Sequence, residues 1–300
     1  MLDTYRQDYT GSLTDEQIRF YDIEGYLVLE DFLDEADLQP VKDAMSEKVD
    51  EIADALYADG LVEDKLEDSP FETRLAELFA GKPDSDFLRF GRGWRDRKPG
   101  YYEVMANKKI LDAVESLIGG EIYANPVYNT RPKLPHVAAG EVPWHQDKSY
   151  WPDANANPVI TVWFSLVDAT EENGCLHIMP RTHRQKLMSF HKEDYSSTGY
   201  LELDEEHMTH IQQSTQKQAI PLPMKAGDIV LFNDRCIHKS TPNVSDHIRW
   251  SLDLRYQPTD QDPMPRHGIG FLARSYQYPE RVATLADWLA LREERMKNEK

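Results

Sequence analysis

Apolar and polar positions repeat with two different periods along this chain, and the change between them divides it. In the N-terminal part the helical spacing dominates. "SLTDEQIRFYDIEGY" places Thr14 where its hydroxyl can cap a helix, with Gln17 positioned to complete a capping box and Leu13 and Ile18 placed as a hydrophobic staple. Gly25 is the expected stop. The strand "YLVLEDFL" follows, then a long amphipathic helix capped by Asp34 and running out near Gly60. Residues 61–85 are polar and acidic with helical patches, and "YYEVMANKKILDAVESLIGG" reads as one more helix, ending at Gly119-Gly120.

Beyond residue 120 the pattern becomes strand-like. "EIYANPVYNTRPKL", "VPWHQD", "PVITVWFSLVDA", "CLHIMP", "DIVLFND" and "HIRWSLDLRYQP" are short and rich in β-branched and aromatic residues, with Asn173-Gly174 and Gly227-Asp228 marking turns. Many short strands behind helices gathered at one end predict a mainly β fold with an α-helical flank, a sandwich or a barrel. Residues 184–218 are polar and too long for a simple connection, which predicts a lid-like insertion. The tail "ATLADWLALREERMKNEK" predicts a C-terminal helix with Trp288 on its apolar side. The whole reads as one domain: a helical flank over 1–120, a β core over 121–257 that carries the insertion, and an extension over 258–300.

Charge narrows the function. The 300 residues carry 34 basic and 53 acidic side chains, a formal net charge of −19, which disfavours nucleic acid and anionic lipid as partners. Cys175 and Cys236 are too few for a disulfide framework and are expected to be reduced, buried thiols. The N-terminal segment lacks an apolar signal-peptide core and no apolar run is long enough to span a bilayer, so a cytoplasmic enzyme is expected.

The candidate chemistry sits in "VPWHQDKSYW", 142–151. On a strand, His145 and Asp147 face the same way. Non-haem iron(II) is held by two histidines and one carboxylate on one face, with the opposite positions open, so these two would be two thirds of such a site. The third ligand must come from a distant strand. Of the ten histidines, His238 is the best placed: it follows the buried run "GDIVLFNDRCI" where the chain turns, with Ser240 and Thr241 beside it and Arg249 eleven residues on. His177 is expected to be an inner-face or core histidine, and His183 sits just past a strand. A buried arginine near the distal histidine suits the far carboxylate of 2-oxoglutarate, which a guanidinium grips with two parallel hydrogen bonds. Trp144 alternates away from His145 and is expected to pack. Trp163 reads equally as core, Ser240 as a turn cap, and Tyr150 and Trp151 as core or substrate platform.

These blocks, in this order, resemble the phytanoyl-CoA dioxygenase family, which includes ectoine hydroxylase. "PWHQDKSYW" resembles the family's HxD segment, "VWFSLVDATEENGCLHIMPRTH" its next block, and "GDIVLFNDRCIHKSTPNVSDHIRWSLDLRY" its distal histidine and arginine block; the N-terminal "LTDEQIRFYDIEGYLVLEDFL" is more loosely similar. The resemblance implies a double-stranded β-helix, a cupin-like jelly-roll barrel. It implies Fe(II) held by His145, Asp147 and His238, and 2-oxoglutarate held by Arg249 with Ser240, Trp163, Asn129 and Lys133, with O2 as oxidant. The implied reaction is hydroxylation of an unactivated C–H, with release of succinate and CO2. Arg181 replaces the glycine of the family's "PGSH" turn, so that either the loop differs or Arg181 faces substrate. The same centre can desaturate, epimerise or close rings; a non-catalytic jelly-roll binding protein would show a broken triad. Asp147 argues against a halogenase, which needs that ligand position open. The acidic balance, with only Arg181, Arg266 and Arg274 at hand to bind phosphates, favours a small free substrate, neutral or cationic, over an acyl-CoA, placed against Tyr150 and Trp151.

Overall fold

The computed structural model describes residues 11–90, 96–137, 140–150, 158–185, 202–203, 205–261 and 269–298. The N-terminal expectations hold closely. Helix α1 (Asp15–Glu24) begins with the full Thr14–Gln17 capping box and ends at Gly25, whose φ of 87° is the left-handed turn a glycine adopts without cost. Leu13 and Ile18 both join the main core. Helix α2 (Glu35–Ala58) starts from Asp34, whose carboxylate accepts the Asp37 N–H while the Asp37 carboxylate accepts that of Asp34. The single helix expected over "YYEVMANKKILDAVESLIGG" is instead two, α5 (Pro99–Met105) and α6 (Lys108–Ile118). The break is Asn107, whose side chain accepts the N–H groups of Lys109 and Ile110 and so starts a new helix rather than continuing the old. Short helices α3 (Arg74–Phe79) and α4 (Asp84–Phe90) occupy the acidic segment between α2 and α5.

The β region forms two antiparallel sheets. The larger runs β1 (Tyr26–Leu29), β8 (Ile229–Asn233), β5 (Ile160–Ser165), β10 (Arg249–Pro258), β2 (Ile122–Ala124), β11 (Phe271–Arg274), with β3 (Asn129–Lys133) also pairing β10. The smaller runs β4 (Val142–Gln146), β9 (Ile237–Ser240), β6 (Leu176–Met179), β7 (Ile220–Leu222). Strands β7, β9 and β11 are additions to the expected set; β9 puts His238 on a strand of its own rather than in a turn.

Period-two alternation sorts the large sheet. Ile160, Val162 and Phe164 of β5 and Trp250, Leu252 and Leu254 of β10 face outward and join the core of α2, α3, α5 and α6. The opposite face, from Trp163, Val230 and Phe232, meets Leu176, Ile178 and Leu222 of the small sheet. Strand β10 is therefore buried along its whole length. Helix α7 (Glu205–Thr215) lies within the expected insertion, of which residues 186–201 and 204 fall outside the described set. Its Met208 and Ile211, with Leu203, pack against Met179, Ile237 and Trp144 on the outward face of the small sheet, so Trp144 does pack away from His145. Helix α8 (Leu285–Asn298) buries Trp288 beside Tyr102, Tyr128 and Phe271.

Candidate metal centre

Strands β4 and β9 pair antiparallel with His145 directly opposite His238. This register, across ninety-odd residues of sequence, is what joins the two histidines; their ring centres lie 4.1 Å apart. Asp147 is not on the strand, which ends at Gln146, but opens a 3₁₀ turn, Asp147–Tyr150. Its carboxylate still returns to the histidines, Oδ1 standing 3.6 Å from His145 Nε2. One donor atom from each of His145, Asp147 and His238 lies within 4.8 Å of the others, and all three residues are buried.

The surroundings suit a cation. His145 Nδ1 donates to the Pro143 carbonyl (2.9 Å) and His238 Nδ1 to that of Cys236 (3.0 Å). Since a carbonyl only accepts, each Nδ1 carries a proton, which leaves each Nε2 as the nitrogen available to a metal. Burial, then the neighbouring His145, pushes His238 down to about 3, so it is neutral. Burial alone would raise the Asp147 carboxyl, but Arg255 and the two histidines outweigh it and hold it well below the usual carboxylate range. Two imidazoles and one carboxylate are the donor set that non-haem iron(II) takes, and the residues fit it.

The small cavity at this cluster, between the sheets, is also lined by Trp163, Ser240 and Arg249. Arg249, 1% exposed, donates from Nη1 to Ser251 Oγ (2.8 Å) and stacks over the Trp163 ring (5.4 Å). Trp163 is thus core and cavity wall at once. Lys133, 2% exposed, donates to Ser240 Oγ (2.7 Å) and to the Thr241 carbonyl. Burial, then Arg249 and Arg131, pushes this ammonium down to about 6. A buried guanidinium beside a buried amine that an arriving anion would protonate makes an anion site.

Other expected residues lie elsewhere. Asn129 donates to Asp253 (2.7 Å) and does not line the cavity. Tyr150 sits edge-on to His145 (6.1 Å) and packs on Val127 and Val159. Trp151 falls outside the described residues. Arg181 is not brought to the cavity: it keeps the glycine-like turn at φ 68° and grips Glu24 of α1 through Nε (3.0 Å) and Nη2 (2.6 Å). His177 and His183 stand outside the cluster. What the sequence reading missed is a buried ionic chain. Arg131 bonds Asp253 (2.8 Å), Asp253 bonds Arg255 (2.6 Å), and Arg255 bonds Asp147 (2.9 Å). The signal was present in "RWSLDLRYQP": Arg249, Ser251, Asp253 and Arg255 alternate and share the inward face of β10.

The model of the phytanoyl-CoA dioxygenase family matches residues 21–251, well over half of the 300-residue chain. The chain belongs to this family. A protein of Oryza sativa subsp. japonica named phytanoyl-CoA dioxygenase 1 is 31% identical over 267 residues, covering 83% of this chain and 91% of its own length. The human peroxisomal phytanoyl-CoA dioxygenase is 25% identical, covering 83% of this chain and 69% of its own. Among solved structures, apo EctD from S. alaskensis superposes with a TM-score of 0.56 at 19% identity over 93% of this chain and 87% of that one. The 2-oxoglutarate-dependent carbocyclase SnoK superposes at 0.54 and 18%, over 85% and 88%. Membership, with the His–Asp–His cluster in place, makes the protein a 2-oxoglutarate-dependent dioxygenase that uses iron. No helix among the described residues is long and apolar enough to cross a membrane.

Proposed function

We propose that the protein hydroxylates an unactivated C–H of a small free metabolite, with succinate and CO2 as coproducts. The observation that carries this is the sharing of one cavity by His145, Asp147 and His238 with the Arg249–Ser240 end, behind which Lys133 lies. His145, Asp147 and His238 would hold the iron, which when bound supplies oxygen activation coupled to decarboxylation of 2-oxoglutarate. Arg249 would receive the distal carboxylate of the cosubstrate in a two-pronged hydrogen bond, with Lys133 adding charge through Ser240. Trp163, beside Arg249, and Phe232, 4.6 Å from the His238 ring, give the cavity apolar walls. The two sheets enclosing this site read as the jelly-roll barrel of the family, built as one domain, and the cytoplasm remains the compartment that the charge and cysteine usage favour.

The substrate reading rests on charge. Of the three arginines that could bind CoA phosphates, Arg181 is engaged by Glu24 and Arg274 by Asp112 (2.7 Å) and Glu115 (2.6 Å), while Arg266 lies outside the described residues. With a net charge of −19, an acyl-CoA meets long-range repulsion, whereas a neutral or cationic molecule does not. SnoK is a carbocyclase and SnoN an epimerase by name, so a second outcome on the same centre, ring closure or epimerisation, is judged by the product. The test is substrate-stimulated succinate release across acyl-CoAs and across uncharged or amine-bearing small molecules, with product mass read alongside. Stimulation by the small molecules and gain of one oxygen supports the proposal; coupled turnover of an acyl-CoA at micromolar concentration sinks it.

A further inference from the structure

We propose that Thr161 and Arg255 are positioning residues that commit Asp147 to binding the metal through Oδ1 alone. The proposal rests on the metal reading above and concerns how the carboxylate is presented. The two oxygens of Asp147 are treated differently. Oδ2 accepts from Thr161 Oγ1 (2.8 Å), Arg255 Nη2 (2.9 Å) and Arg255 Nε (3.2 Å). Oδ1 accepts one bond among the described ones, from Arg255 Nη2 (3.0 Å), which it shares with Oδ2, and it is the oxygen that faces His145 Nε2 at 3.6 Å. A carboxylate oxygen offers about two lone-pair directions, so three donors saturate Oδ2 and leave Oδ1 for the cation.

Both donors come from the far sheet and neither can drift. Thr161 is 0% and Arg255 5% exposed. Arg255 is held by Asp253, and Asp253 by Arg131 and Asn129, so the guanidinium is anchored from behind by a carboxylate that is itself pinned twice. The consequence is a count of positions. A divalent ion with octahedral preference has about six, of which two imidazoles and one oxygen take three. A chelating cosubstrate takes two more, and one stays open for O2. Were Asp147 to bind through both oxygens, that last position would close. The brace from β5 and β10 thus keeps the reactive position free without touching it.

The test uses the Mn(II)-loaded full-length protein, with coordinated water counted by water-proton relaxation. The wild type should carry about three waters on the metal, and the Thr161→Val/Arg255→Met double variant about two, as the freed Oδ2 turns onto the ion. Arg255→Lys, with Thr161 intact, should restore the wild-type number, because one ammonium can still occupy Oδ2; a purely structural role for Arg255 would not be rescued this way. If the double variant does not fold, Thr161→Val/Arg255→Lys decides, because it keeps the buried charge but leaves Oδ2 a single donor: fewer waters than wild type supports the proposal and an equal number contradicts it. Mn(II) bound with about three waters in every variant overturns the positioning role while leaving the metal site standing. Failure of the wild type to bind Mn(II) would overturn the metal reading itself, and the proposal with it.

Discussion

Replacing Arg249 by glutamine removes one buried charge while keeping a hydrogen-bonding side chain of similar reach. In the wild type the guanidinium is 1% exposed, donates to Ser251 at 2.8 Å and lies 5.4 Å from the Trp163 ring. A cosubstrate carboxylate entering the variant finds a desolvated site without its main counter-charge. Breaking a buried pair by removing one partner costs roughly 3–5 kcal/mol, or about 10²- to 10⁴-fold at about 1.4 kcal/mol per tenfold. Lys133 remains nearby, its ammonium 2.7 Å from Ser240 Oγ, and so the lower end, about 10²-fold, is expected. The assay is anaerobic calorimetric titration of 2-oxoglutarate into Mn(II)-loaded protein, with a separate titration of Mn(II). Weaker 2-oxoglutarate binding at unchanged Mn(II) affinity is the expected result, and Arg249→Lys should fall between the two because it keeps charge but loses the fork. A 2-oxoglutarate affinity within about threefold of wild type in Arg249→Gln would refute the assignment and move the role to Lys133 or Arg131.

Three further outcomes follow from the same geometry. Lys133, pushed down to about 6 from an ordinary 10.5, contributes stability that is fully present above 10.5 and is lost as the pH falls through about 6. Urea unfolding of Lys133→Met should therefore show a flatter rise of stability with pH over that window, and an unchanged slope would contradict it. Cosubstrate binding near neutral pH should take up a proton at Lys133, seen as buffer-dependent heat that Lys133→Met abolishes; heat independent of the buffer in the wild type counts against the shift. Arg181→Gly should relieve left-handed backbone strain and lose an exposed ion pair, two opposed effects that leave thermal stability little changed and 2-oxoglutarate affinity unchanged. A change of more than about tenfold in cosubstrate or substrate affinity would return Arg181 to the site.

Much of this was legible because local rules govern it. Thr14, Gln17 and Gly25 delimit α1 by their own hydrogen bonds, and Asp34 does the same for α2. His145 and Asp147 stood out by spacing, and His238 by following a buried run with Arg249 beyond it. What could not be read was set by register between distant segments. Nothing near His238 in sequence states that β9 pairs β4 so as to put it opposite His145. Likewise, the partners of Asp253 and Arg255 lie on β3 and in the turn after β4, so their alternation was visible but its purpose was not. The one helix expected over 101–120 is broken at Asn107, whose capping geometry shows only with the backbone in view. For Arg181 the sequence left open a different loop or a substrate contact; what it could not show is the left-handed φ of 68° and the Glu24 partner on α1.

The most direct measurement is anaerobic addition of Fe(II) and then 2-oxoglutarate to the wild-type protein and to His145→Ala, Asp147→Ala and His238→Ala, following the visible charge-transfer absorption of the chelated cosubstrate. One equivalent of iron per chain and a saturable band are expected in the wild type. Each triad variant should lose the band while keeping its fold by circular dichroism. A band of wild-type size in His238→Ala, or its loss on substituting His177 or His183 instead, would contradict the centre assigned to His145, Asp147 and His238.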